Sequence, residues 1–134
     1  MSYERRVTIL DGIEVPSFSR KEFEYLFDDY IKHYPNAEII RRCADYFSYE
    51  NIKDITIDDF CDYLCDNDIV LFDEFLDYAY IGEQIFEIGN EKGSFAKDIT
   101  TLPEFPKIKS YIFDFIQKCF PEYHINRYII SWVL

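Results

Sequence analysis

The chain has 134 residues, 49% of them hydrophobic, and its 14 bases against 26 acids leave a net charge of −12. That length suits one domain, residues 1–134, able to bury a core without metal or disulfide help, and so much apolar content sets it apart from a disordered chain. A strongly acidic balance argues against direct binding to nucleic acid or to an anionic membrane, both of which repel it, and favours basic proteins as partners.

The predicted elements begin with "RVTILDGIEVP", where two β-branched runs flank Asp11-Gly12. This is the pattern of a two-residue hairpin, with Leu10 opposite Ile13 and Thr8 opposite Val15, stopped by Pro16. Ser19 to Glu22 reads as a capping box that opens a helix to about His33, with Phe23, Leu26, Phe27, Tyr30 and Ile31 at helical spacing. Asn36 is placed to cap a second helix, "AEIIRRCADYF", carrying Ile39, Ile40, Cys43 and Phe47 on one side. A third helix starts at Thr56, capped against Asp59, and runs to about Asp66. A fourth is expected from Asp68 to about Ile88, with Gly89 and Asn90 at its exit. "GNEKGSFAKDITTLPEFP" reads as a loop, and "FPKIKSYIFDFIQKCF" as a fifth helix closed by Pro121. The tail "EYHINRYIISWVL", rich in β-branched and aromatic residues, is suited to a strand beside the hairpin. The expected fold class is α+β and predominantly helical: about five helices, an N-terminal β-hairpin and a possible C-terminal strand in a small sheet.

"MSYERRVTIL" lacks the apolar core of a signal peptide, and "YIISWVL" is too short to cross a bilayer, so a cytoplasmic location is expected. Twelve tyrosines exceed what such a core easily satisfies, which places some of them at the surface, where tyrosine favours interfaces.

The charge is concentrated. Between Asp54 and Glu91 stand 12 acids and no base, while the other 96 residues hold 14 of each. On the expected third helix Asp58, Asp62 and Asp66 line one side, with Asp59 beside them and Ile57, Phe60, Cys61 and Leu64 opposite. On the expected fourth, Asp73, Asp77 and Glu87 lie outward, flanked by Glu74 and Glu83, with Tyr80 among them. Like charges four apart cost a helix roughly 0.2–0.5 kcal/mol per pair. Interspersed lysines would keep the face soluble and make those pairs favourable, so solubility alone does not account for the missing bases. Four helical residues rise about 6 Å, against one charge per roughly 3.4 Å along a DNA strand. One ridge has about half a strand's charge density, and two side by side would approximate one strand.

Motifs of chemistry are sparse. "GNEKGS" lacks the spacing and ending of a phosphate loop. Cys61 and Cys65 stand four apart on a helix, but no histidine joins them in a ligand pattern, and they read as inert thiols. A helix-turn-helix reading of the second and third helices fails because Asp58, Asp59, Asp62 and Asp66 would face phosphates. No catalytic residue, metal site or cofactor is assigned. The residues expected to bind a partner are Asp58, Asp59, Asp62, Asp66, Asp73, Glu74, Asp77, Tyr80, Glu83 and Glu87. The function expected from them is occlusion of a basic, nucleic-acid-handling protein, as an anti-defence or nuclease-immunity protein would do. The alternative is an adaptor that binds through a tyrosine-rich or apolar patch, its acidity serving solubility.

Overall fold

The computed structural model describes residues 5–73, 78–91 and 102–133. In chain order these form β1 (Arg5–Pro16), α1 (Arg20–His33), α2 (Glu38–Tyr46), a 3-10 turn (Ile52–Asp54), α3 (Ile57–Asp66), β2 (Val70–Asp73), β3 (Tyr78–Glu91), α4 (Ser110–Cys119) and β4 (Asn126–Val133). The strands make one antiparallel sheet in the order β2-β3-β1-β4. The fold is α+β, yet not the mainly helical domain with about five helices that the sequence suggests. Among the described residues there are four α-helices and a four-stranded sheet.

The helices follow their local signals. Ser19 caps α1 by accepting the Glu22 N–H, and Phe23, Phe27 and Tyr30 turn into the core. Thr56 and Asp59 close a full capping box at α3. The α2 stripe buries Ile39, Ile40 and Cys43, although Ala37, not Asn36, is the cap residue. Both α2 and α3 end in Schellman geometry. The Ile69 N–H reaches the Leu64 carbonyl and the Asp68 N–H that of Cys65, just as Tyr49 and Ser48 bond to Ala44 and Asp45. The left-handed residues that make these turns are Ser48 (φ 61°) and Asp68 (φ 55°).

That turn corrects the expected fourth helix. No helix follows Asp68, which reverses the chain out of α3 and into β2. Residues 70–73 and 78–91 then pair as antiparallel strands. Ala79 and Ile81 of β3 face the helices together with Val70 and Phe72 of β2. Further along β3, two register shifts against β1 leave Ile85 and Ile88 without a partner, which marks two bulges. The bulges break the alternation of two that would have announced a strand.

The expected N-terminal hairpin is also absent. Asp11-Gly12 lies in the middle of one strand of 12 residues, with β3 on one side and β4 on the other. Thr8 and Leu10 therefore do not face Val15 and Ile13 across a turn; they occupy the opposite face of the same strand. The tail does form a strand, β4, beside β1.

Four rings, Phe27, Tyr30, Phe60 and Phe115, meet edge-on, tilted or stacked at the centre of the core, with centroids 5.0–6.3 Å apart. Tyr30 is the misfit there. Its hydroxyl is buried with no hydrogen-bond partner among the described residues, and burial raises its pKa. Tyr30→Phe should stabilise the chain by about 1–2 kcal/mol, since an unsatisfied buried hydroxyl costs that much. A urea midpoint lower than that of the parent protein would refute this.

Candidate partner-binding surface

The α3 helix carries the part of the predicted surface that survives as a surface. Asp58, Asp62 and Asp66 lie exposed on successive turns, opposite the buried Phe60, Cys61 and Leu64. Among the described residues no base pairs with any of the three. The other helices are dressed differently. Arg20–Glu24 and Lys32–Asp28 on α1, Arg42–Glu38 on α2 and Lys118–Asp114 on α4 are all pairs four residues apart. In α3 the corresponding positions hold aspartate on aspartate.

Asp59 belongs to the architecture of the helix. Its carboxylate accepts the Tyr49 phenol at 2.8 Å and the Thr56 N–H at 3.2 Å, and these bonds, the phenol's first, hold its pKa below the ordinary carboxylate value. Asp66 accepts the Tyr46 phenol at 2.9 Å. Tyr46 and Tyr49, which the sequence reading did not single out, therefore border the acidic ridge. No local signal marks them: Ser48 takes the left-handed turn that carries Tyr49 towards the start of α3, and serine does not usually announce such a turn. Tyr46 packs on Phe47 and Tyr63 and remains 47% exposed, an aromatic rim beside the charges.

The rest of the predicted surface does not join it. Glu83 lies on β3 with its side chain only 14% exposed, pairs with the Lys109 ammonium at 3.4 Å and accepts the Lys109 N–H at 3.1 Å. It ties the first residue before α4 to the sheet and is neutralised there. Tyr80 sits on the sheet face turned away from the helices, opposite Glu14 and 5.6 Å from the Tyr128 ring. Asp73 and Glu87 belong to strands and not to a helix; their side chains, with Glu74 and Asp77, lie outside the described residues. The expected pair of parallel acidic ridges is thus one ridge, because the second helix that would have carried its neighbour is a pair of strands.

Other chemistry is modest. Burial pushes the thiols of Cys43, Cys61 and Cys119 up to about 12, which keeps them protonated and unreactive at neutral pH. Among the described residues no three metal-ligating side chains gather into a site, and no helix is long and apolar enough to cross a membrane. An open cleft of about 420 Å³ lies between the end of α3, β3 and the start of α4. Its polar walls are engaged: Asn67 donates to the Tyr63 carbonyl at 2.9 Å, and Glu83 holds Lys109. No family model, curated protein or solved structure matches the chain.

Proposed function

We propose that this is a binding protein, cytoplasmic and without catalytic activity of its own, whose α3 ridge docks on a basic surface of another protein. The observation that carries this reading is the contrast between the described helices: three of the four carry compensating bases four residues from their acids, and α3 does not. A helix that gives up stabilising pairs at positions available to them keeps its carboxylates free for cations supplied from outside. Lysines and arginines that hold nucleic-acid phosphates suit carboxylates equally well, so a nucleic-acid-handling protein is the partner class favoured. A single ridge, with one charge about every 6 Å, has about half the charge density of one DNA strand, so occlusion would be local.

Tyr46 and Tyr49 supply apolar contact beside the charges, as interface tyrosines commonly do. A second reading, an adaptor that binds through tyrosine, is favoured by Tyr25, which stands 71% exposed on α1. Salt separates the two, because screening weakens a charge-driven complex and leaves an apolar one little changed.

Asp58→Lys with Asp62→Lys tests the ridge without touching a hydrogen bond that either residue makes to another described side chain. Exposed pairs are worth roughly 0.2–1 kcal/mol each, and reversal adds repulsion, so affinity should fall about tenfold while thermal unfolding stays nearly unchanged. The partner is captured from lysate on the parent protein, identified by mass spectrometry and titrated against both forms across a salt series. Equal affinity of the two forms, or binding indifferent to salt, would remove the ridge from the interaction.

A further inference from the structure

The sheet has two outer edges, and they are built differently. At one, β2 is four residues long, ends at Asp73 and is packed against α3. A short strand covered by a helix is the usual protection of an edge. At the other, β4 runs for eight residues, "NRYIISWV", with no proline, lysine or acid. Its single charge, Arg127, turns inward to the Asp11 carboxylate at 2.7 Å. Among the described residues β4 pairs with β1 alone, so alternate residues along it direct N–H and C=O groups outward without a strand to receive them. Ile129, in the middle, is 73% exposed, the most exposed large apolar side chain among the described residues. Apart from the inward-turned Arg127 near its start, this long edge with an exposed isoleucine carries no proline, no outward charge and, among the described residues, no covering helix or strand, the devices that normally discourage pairing.

We propose that the outer edge of β4 is a self-association surface, on which a second copy of the chain lays its own β4 antiparallel and extends the sheet from four strands to eight. Charge selects this partner and this place. Two chains of net charge −12 repel each other, and they meet most easily where acids are absent. Residues 126–133 contain none, and the α3 ridge lies at the opposite edge, beside β2. An antiparallel pairing is also two-fold symmetric, so every contact is made twice and the assembly closes at a dimer. Each copy would bring Ile129 against the other, covering its apolar surface along with the backbone.

The test is sedimentation velocity over a concentration series, with hydrogen exchange of the β4 amides. The parent chain should form dimers whose share rises with concentration, and with added salt, which screens the repulsion between copies. That salt response is opposite to the one expected of α3 docking on a basic partner, so either idea can fail alone. Ile129→Lys, and separately Ser131→Asp on the same exposed face, should weaken dimerisation at least about tenfold while leaving the fold intact. Tyr25→Lys, equally exposed but on α1, should leave it unchanged. A parent chain that stays monomeric throughout, dimers that ignore both β4 variants, or outward β4 amides that are protected in the monomer would each overturn the proposal.

Discussion

Asp11→Ala should destabilise the protein by about 3–5 kcal/mol, the usual cost of breaking a buried ion pair from one side. Asp11 is fully buried in the middle of β1. Its two carboxylate oxygens receive the Arg127 guanidinium at 2.7 and 2.9 Å, and one of them also accepts the Lys107 N–H at 2.6 Å. A single side chain thus holds β4 to β1 and pins the segment leading into α4. Truncation leaves a guanidinium and an amide without partners, and it is their unmet desolvation that makes the loss large. Against a typical total stability of about 5–15 kcal/mol, such a change is a substantial fraction. Urea denaturation should show a much lower midpoint with an unchanged slope. Asp11→Ala combined with Arg127→Leu should recover part of the loss, because the orphaned charge leaves with it. A loss below about 1 kcal/mol for the single variant would mean that the pair is not what joins β4 to the sheet.

Gly12→Ala should cost about 1–3 kcal/mol, the usual cost of overpacking. Gly12 and Gly82 face each other across β1 and β3. A Cβ on Gly12 would stand 2.1 Å from the Ile81 carbonyl oxygen and 2.8 Å from the Gly82 Cα. A Cβ on Gly82 would stand 2.1 Å from the Asp11 carbonyl oxygen. The obstructing atoms are backbone, held in register by strands on either side, and they cannot swing away as a side-chain tip would. What matters at Gly12 is close approach, and the backbone there is ordinary strand. The Gly82 N–H also donates to the Ile69 carbonyl at 2.9 Å, so displacing β3 would disturb β2 as well. Calorimetry or urea melts of Gly12→Ala and Gly82→Ala should show similar losses. A change under about 0.5 kcal/mol in either would mean that the strands separate easily at this point.

These two residues also mark where reading the sequence alone goes astray. Asp-Gly between β-branched runs is the commonest short-range sign of a hairpin, and both residues are here for other reasons. Asp11 answers an arginine 116 residues away, and Gly12 answers a glycine on another strand. The stretch from Asp68 to Ile88 failed similarly. Its apolar residues fit a helical spacing, two bulges at Ile85 and Ile88 disturb the strand alternation towards its end, and the pairing that makes 78–91 a strand is with β1, remote in the chain. The acidic surface shrank with it. Asp58, Asp62 and Asp66 were placed correctly because α3 is capped by Thr56 and Asp59 within its own first turn. Glu83 was misplaced because its role depends on Lys109, 26 residues onward.

The amino-acid sequence by itself determined the ends of α1 and α3, the apolar stripes of the helices and the lopsided placement of charge, since caps and i, i+4 spacing are settled within a turn or two of chain. The tertiary structure alone decided that 70–91 pairs as strands, that Asp11 is a buried anchor, and which acids stay free and which are matched. Strand pairing and buried ion pairs draw on groups from opposite ends of the chain, and no local pattern records which distant group will answer.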